Sequence, residues 1–397
     1  MSGTGAGTGV RRRVVVLGST GSIGRQTLEV ARALPDRVTV VGLAAGGGGG
    51  PGTPSVRLFA EQVLEWRPEV AALSDADAAR EVERETGVRV LAGPEGVLEA
   101  ATWPGADLVL NAVVGFAGLE PTLSALAAGK DVAVANKEPL VAAGRLVMAE
   151  AWRTGRRVIP VDSEPSAVFQ LLDGKPARFL RRIVLTASGG PFYGWPPERL
   201  AEVTPSQALT HPTWRMGPKI TVDSATLMNK GFEVLEAMNL FGLAADAVDV
   251  LVHRDSLVHA LVELNDGTVL AHVGPPDMRY PIQHALTYPE RVPAPWPRLD
   301  LAEAPPLAFD RPDLSLYPCL SLAYHVGRIG QSCPAVLSAA DEVLVGAFLS
   351  GRLRFTDIPR LLEEIVEAHT PFEVASLEDA RRADALGREA ARAVLAG

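Results

Sequence analysis

The sequence predicts an α/β protein: an N-terminal doubly wound parallel sheet, then an α+β segment, then a helical C-terminal segment. Three observations carry this. From Val14 to about Asp162, short apolar runs alternate with helical patterns: "VVVL", "RQTLEVARAL", "VTVVGLA", "AEQVLEWR", "VAAL", "DLVLNAVV", "TLSALAAG", "DVAVAN", "RLVMAEAWR" and "VIPV". Strands alternating with helices build a parallel sheet with both faces covered. The first run feeds a glycine turn, Gly18-x-x-Gly21-x-x-Gly24, that opens a helical pattern, as in Rossmann-like domains. After Asp162 the alternation stops, and "RIVLTA", "VDVLVH", "LVHALVEL" and "TVLAHVG" read as strands, the last two joined by the hairpin signal Asn265-Asp266-Gly267.

These patterns divide the 397 residues into five stretches. Residues 1–13 begin with a Gly/Thr-rich run and read as a disordered tail. Residues 14–162 form the first α/β unit, interrupted at 44–55 by the low-complexity loop "AAGGGGGPGTPS", and residues 163–289 form the α+β unit. Six prolines between Pro289 and Pro318 make 290–314 a stiff linker. Residues 315–397 are helical: Ser332 leads into "PAVLSAADEVLVGAFLS" ahead of Gly351, Asp357 caps "IPRLLEEIVEAH", and Ser376 with Asp379 forms a capping-box pattern.

Composition excludes several classes of function. A formal net charge of −9 disfavours nucleic acid, which requires a basic surface. No apolar run reaches the length of about 18 to 20 residues that a membrane span requires. Cys319 and Cys333 are too few for a disulfide framework or a thiolate zinc site, which fits a reducing cytoplasm. Only five of the 38 basic residues are lysines, and Lys137, Lys219 and Lys230 all fall in the motifs below.

The glycine turn places backbone N–H groups and a helix N-terminus where a pyrophosphate binds, although such a turn is also an ordinary strand-to-helix connection. No acid follows the second strand to hold a ribose 2′-hydroxyl, which leans towards NADP. No Lys or Arg follows either until Arg57. "VIPVDSEPSAVFQ" ends a strand with Asp162-Ser163-Glu164; in extended backbone residues i and i+2 share a side, so the carboxylates can converge on one hard cation. The plainer alternative is a helix cap. "HPTWRMGPKITVDSATLMNKGFEVLEA" reads as a loop, a short strand and a helix starting near Ser224. On that helix Asn229, Lys230 and Glu233 share roughly one face, with Asn229 and Glu233 about 6 Å apart along the axis. That suits a small sugar phosphate beside a metal, or equally a surface ion pair. "TASGGPF" places Ser188 before a Gly-Gly turn able to wrap an anion, and "HPTWRMG" combines His211 and Trp214 in a lid-like loop. "ANKEPL" sets Asn136, Lys137 and Glu138 at the carboxyl end of a strand, where α/β sheets bind ligands.

Together, "LGSTGSIG", "ANKE", "VDSE", "SGGPF", "HPTWRMG" and "SATLMNKGFE", with "DSLVH", "GPPDMRYPI", "YPCL" and "RFTDI", resemble the 1-deoxy-D-xylulose 5-phosphate reductoisomerase family in order and separation. The resemblance implies a homodimer with an NADPH-binding domain, a connective catalytic domain and a C-terminal helical domain. It implies rearrangement of the substrate's carbon skeleton, then reduction by NADPH to 2-C-methyl-D-erythritol 4-phosphate in isoprenoid synthesis. By matching motif, Asp162, Glu164 and Glu233 would bind one divalent metal, Mn, Mg or Co. Lys137 and Ser163 would touch substrate hydroxyls, and Ser188, His211, Ser224, Asn229 and Lys230 would hold the phosphate end. Thr20, Gly21, Ser22, Ile23, Gly46, Asn136, Glu138 and Gly217 would contact NADPH, Trp214 would sit on the lid, and Lys137, Glu164, His211 and Glu233 would carry the catalysis. Two departures stand out: Gly46-Gly47-Gly48 replaces the family's Lys and Asn after the second strand, and Pro139 replaces a serine. A phosphosugar isomerase or lyase with a vestigial nucleotide fold is the alternative reading.

Overall fold

The protein is described by a computed structural model covering residues 11–173, 175, 177–214 and 216–396. Residues 1–10 of the expected tail lie outside it, and the first strand already starts at Arg12. The basic residues there have work to do in the fold. Arg12 pairs with Asp131 at 3.0 Å and donates to the carbonyls of Ala285 and Tyr288, while Arg13 N donates to Asp107 Oδ2 at 2.9 Å.

Seven parallel strands form the first sheet: β1 (Arg12–Leu17), β2 (Val38–Ala45), β3 (Val70–Leu73), β4 (Leu91–Ala92), β5 (Leu108–Asn111), β6 (Asp131–Val134) and β7 (Val158–Pro160). Their order is β4-β3-β2-β1-β5-β6-β7, so the direction of winding reverses between β1 and β5. Alternation along β1 sends Val14 and Val16 into one core layer with Leu28 and Phe59, and Val15 and Leu17 into the other with Leu119, Leu126 and Leu140. Both faces are covered, which is why the strands read as unbroken apolar runs.

The second sheet has β8 (Leu180–Ala187), β9 (Val248–Val252), β10 (Val258–Leu264) and β11 (Val269–Val273) in the order β11-β10-β8-β9. The expected hairpin joins β10 to β11, with Gly267 at φ +86. Ile183, Leu185, Val250, Ala260 and Val262 face the Ser163–Leu172 and Met228–Phe241 helices. From this sheet the chain returns to the first one, where Ile282, Ala285 and Leu286 of the Arg279–Thr287 helix enter the layer of Val14 and Val16. Residues 290–314 carry no helix or strand, and Asp310 bridges back to Val252. The helices Pro318–Ile329, Cys333–Leu349, Asp357–Ala368 and Leu377–Ala396 close a third core around Phe232, Val326, Leu337, Phe348 and Leu362. The expected cap of the last one is made: Asp379 N donates to Ser376 Oγ at 3.1 Å.

Two expectations fail here. Asp357 is the first residue of its helix rather than its cap: Thr356 holds that place, with no side-chain capping bond. The "ITV" stretch is the Pro218–Thr226 helix, not a strand, and Ser224 lies in its last turn. Proline at its first position and the buried faces of Val222 and Ala225 favour the helix over the β-branched propensity of the run. Lys219 secures it, pairing with Asp223 at 2.7 Å and with Asp341 of the Cys333–Leu349 helix at 2.8 Å.

The Glu138–Thr154 helix breaks its regular geometry at Ala143 (φ −147, ψ 35). Asn239 of the facing helix fills the break, donating to the Leu140 carbonyl at 2.8 Å, and a Cβ at Gly144 would sit 2.5 Å from the Asn239 side chain. This lock sets Lys137, at the N-terminus of one helix, against Glu233 on the other. Asn239→Leu, close in volume but without the donor, is expected to cost about 1–3 kcal/mol by stranding that carbonyl. Equilibrium urea denaturation measures it, and an unchanged midpoint would remove the lock from the account.

Candidate active site

Three carboxylates converge between the two sheets. β7 ends at Pro160, and Asp162 is the N-cap of the Ser163–Leu172 helix, its Oδ1 accepting from Ser163 N at 3.0 Å. Glu164 lies in the first helical turn, where Ser163 Oγ donates to its Oε2 at 2.6 Å. The extended D-x-E geometry expected from the sequence is therefore corrected: the two acids meet across a helix N-terminus. An acidic first turn is favoured there by the helix dipole, and Pro165 costs no hydrogen bond in it. Glu233, on the Met228–Phe241 helix, is 1% exposed. Ligand oxygens of Asp162, Glu164 and Glu233 all lie within 4.8 Å of one another.

Two ammonium groups sit among these acids. Lys137 Nζ is 2.5 Å from Asp162 Oδ2, 3.3 Å from Glu233 Oε1 and 2.7 Å from Asn229 Oδ1. Lys230 Nζ donates to Glu164 Oε1 at 2.8 Å and to Glu233 Oε2. Burial works against both ammoniums, but their carboxylate partners outweigh it and hold both pKa values above the ordinary lysine range. Burial also works against ionised Glu164, but Lys230 outweighs it and lowers its pKa. Glu233, buried and repelled by Glu164, is pushed up to about 7 despite Lys230 and Lys137. Glu236, one turn on, is fully buried with neither oxygen hydrogen-bonded, and burial with the Asp162 charge drives it well above the carboxylate range.

Carboxyl groups thus outnumber ammonium groups in a largely buried place, and Asp162 Oδ2, though ion-paired, lacks an aligned hydrogen-bond donor. All the converging donors are hard oxygens. That set fits a divalent cation such as Mg or Mn.

Next to the acids lies a cluster of neutral donors. His211 Nε2 is 2.9 Å from Ser188 Oγ and 3.1 Å from Ser224 Oγ. Its Nδ1 accepts from the backbone N–H of Thr213 and Trp214, which assigns the proton to Nε2. Burial, reinforced by the Arg254 charge, lowers its pKa to about 4, so the ring is neutral at pH 7. Gly190 (φ +67) brings the Gly-Gly turn against Ser224, where a Cβ would come within 2.6 Å of the Ser224 carbonyl oxygen. Leu227 in the left-handed region (φ 58) ends one helix and starts the next, so Ser224 closes the first while Asn229 and Lys230 open the second. Asn229 and Lys230 bond to the acids rather than to the Ser188–His211–Ser224 cluster; Asn229 Nδ2 donates to Glu233 Oε1 at 2.6 Å. The plain surface ion pair is excluded, since Lys230 is 3% exposed.

The glycine turn sits beside the reversal between β1 and β5, the crevice in which doubly wound sheets bind ligands. Gly18 adopts φ +80, and a Cβ there would meet the Ala112 carbonyl at 2.4 Å; at Gly24 it would meet the Gly18 carbonyl at 2.2 Å. Gly21 caps the helix that opens with Ser22 and Ile23, and Thr20 accepts from Ser55 at 3.1 Å. Gly46 ends exposed just past β2, with Ser74 Oγ donating to its carbonyl. Asn136 follows β6 with a buried Nδ2 that has no partner, a donor open to a cofactor. Glu138 starts the helix behind it, and Gly217 is an exposed N-cap at the end of the Trp214 loop. Trp214 and Ser163 line a cavity of about 370 Å³ together with His259, His272 and His284. Sequence reasoning missed His259, whose only signal was a histidine inside an apolar strand; burial lowers its pKa although Glu164 lies near. It also missed Glu236, which reads as one more helix-surface acid.

The chain is similar to known proteins over nearly its whole length. Family profiles described as 1-deoxy-D-xylulose 5-phosphate reductoisomerase match residues 14–144, as its C-terminal domain 158–241, and as the DXP reductoisomerase C-terminal domain 273–390. A protein of that name from Synechococcus sp. is 51% identical over 380 residues, 94% of this chain and 95% of its own. The solved reductoisomerase from Zymomonas mobilis in complex with NADPH superposes with a TM-score of 0.89 at 39% identity, covering 97% of this chain and 99% of that one. A DOX-P reductoisomerase in complex with NADPH, fosmidomycin and magnesium gives 0.88 at 35%, covering 97% and 98%.

A pH signature follows from Glu233. Its folded pKa is raised above the unfolded value, so it favours the metal-free fold at low pH and that contribution is lost as pH rises through about 7. A divalent cation must displace the same proton. Added Mg or Mn is therefore expected to raise the melting temperature more at about pH 8 than at about pH 6. Equal increments at both would detach Glu233 from the cation.

Proposed function

The chain belongs to the 1-deoxy-D-xylulose 5-phosphate reductoisomerase family, and from that premise we propose that it converts 1-deoxy-D-xylulose 5-phosphate to 2-C-methyl-D-erythritol 4-phosphate with NADPH and one divalent metal. The reaction is a retro-aldol/aldol rearrangement followed by hydride reduction, in non-mevalonate isoprenoid synthesis. The observation that carries the reading is the placement of three convergent carboxylates beside a neutral pocket of hydroxyl and imidazole donors.

Asp162, Glu164 and Glu233 would hold the metal, and Thr20, Gly21, Ser22, Ile23, Gly46, Asn136, Glu138 and Gly217 would contact NADPH. When bound, the metal supplies charge neutralisation for adjacent substrate oxygens, and NADPH supplies the hydride. The chain's own groups do the rest. Lys137 directs its three donors at Asp162, Glu233 and Asn229 and so orients the carboxylates. Lys230 spends two of its three on Glu164 and Glu233 and keeps one for an incoming oxygen. Ser163 faces the substrate hydroxyls. Ser188, Ser224 and the Nε2–H of neutral His211 would take phosphate oxygens, with Asn229 and Lys230 at the junction with the acids. Trp214 would close over the site and keep water from the cleaved fragments.

We also infer a homodimer. The helix-free face of the second sheet carries Val184, Leu251, Leu261, Val269 and Ala271, with Val269 54% exposed at the open edge. Arg182 pairs with both Asp249 and Glu263 on the same face. An apolar face with a charged border suits a second copy. A cytoplasmic setting goes with two free, buried cysteines, and among the described residues no helix is long and apolar enough to cross a membrane.

With substrate, NADPH and Mg or Mn, nicotinamide absorbance should fall in step with product; rearranged sugar phosphate without NADPH loss would instead favour the isomerase or lyase reading. Glu233→Gln is expected to lower kcat by about a hundredfold or more, since metal-borne charge stabilisation is worth several kcal/mol. A wild-type rate would take Glu233 out of the metal set. Light scattering on Leu261→Asp should show monomers where the wild type shows dimers; a monomeric wild type refutes the interface.

A further inference from the structure

Arg254 follows β9 and lies under the Gly-Gly turn. One guanidinium nitrogen, Nη1, donates to the Ser188 carbonyl at 2.7 Å and to the Gly190 carbonyl at 2.8 Å. The group also lies 5.1 Å from the centre of the Tyr193 ring, and Tyr193 Oη donates to Asp310 Oδ2 at 2.7 Å. Among the described residues no carboxylate oxygen comes within 4 Å of the guanidinium. Its charge bears on His211, Tyr193 and Tyr317, all neutral at pH 7. This contrasts with Lys137 and Lys230, whose charges are already matched by acids.

Resting on the reading above, we propose that Arg254 is a positioning residue for the phosphate end of the substrate, which fixes the Ser188–Gly190 turn and supplies the uncompensated positive charge of that pocket. In a trans peptide the carbonyl and the following N–H point to opposite sides. Holding the Ser188 carbonyl on Arg254 therefore turns the Gly189 N–H away from the guanidinium. On the same turn, Ser188 Oγ meets His211 Nε2, and Gly190 N donates to Ser188 Oγ at 3.3 Å. The hydroxyls and the imidazole satisfy phosphate oxygens without neutralising them. Arg254 supplies the charge from the turn's far side, where its own hydrogen bonds go to carbonyls that compete little for it.

The test uses full-length Arg254→Gln, which keeps a donor for the turn and loses the charge, and Arg254→Lys, which keeps the charge. Inorganic phosphate is the probe, titrated calorimetrically without turnover, followed by steady-state kinetics. Arg254→Gln is expected to weaken phosphate binding and raise the KM for the sugar phosphate about tenfold, with kcat within about threefold and the KM for NADPH unchanged. Arg254→Lys should stay within about threefold of wild type, and the His211 imidazole of Arg254→Gln should titrate at higher pH by NMR. Unchanged phosphate affinity in Arg254→Gln overturns the proposal, as does equal loss in both variants, which would assign the effect to shape. If Arg254→Gln does not fold, Arg254→Lys decides: retained affinity supports the charge, and a loss beyond about tenfold overturns it. If the wild type binds phosphate but leaves 1-deoxy-D-xylulose 5-phosphate unconverted, the proposed reaction fails while the phosphate comparison still judges Arg254.

Discussion

The structure depends on the balance of charge around Glu233. Several carboxyl groups are packed in or beside the interior, and among the described residues two ammonium groups answer them. Left alone, such an arrangement costs more than it returns, because the desolvation of each ion exceeds what an imperfect pair recovers. Much of the surrounding architecture holds the two lysines in register. Lys137 is delivered by the turn after β6. Lys230 is delivered by the helix restart at Leu227, and Asn239 in the Ala143 break ties the two helices together. Raised carboxyl pKa values at Glu233 and Glu236 record the imbalance that remains.

At the neighbouring hydroxyl and imidazole groups the logic changes. The Ser188–His211–Ser224 cluster is built from neutral groups whose polarity is directed by backbone: two N–H donors fix the His211 tautomer, and a glycine with positive φ lets the turn lie directly on Ser224. Acids on one side and neutral donors on the other give a small molecule two unlike ends to match, which fixes its direction in the site.

Much of this was legible in the sequence. The alternation of runs before Asp162 specified the parallel sheet, since a strand buried on both faces must be apolar throughout. Asn265-Asp266-Gly267 announced its hairpin, because few residues tolerate that turn. The acids, Lys137 and Lys230 were found because charged groups clustered near phosphate-type turns are chemically conspicuous. What was misread followed from tertiary context. "ITV" has strand propensity, but burial against the C-terminal helices makes it helical. Asp162 and Glu164 were paired by strand alternation, yet a helix N-terminus brings them together. Arg254 carried no signal, and His259 only that of a histidine closing "DSLVH" in an apolar strand, because their meaning lies in partners 64 and about 95 positions away along the chain.

The return of the chain from the second sheet to the first has a consequence for modularity. Ile282, Ala285, Leu286 and Trp296 complete the hydrophobic layer that Val14, Val16 and Leu28 begin. The segment that looks like a separable cofactor-binding cassette therefore finishes its interior with residues encoded more than a hundred codons downstream. A fragment cut after β7 would expose that face, so the N-terminal unit is not a self-contained module.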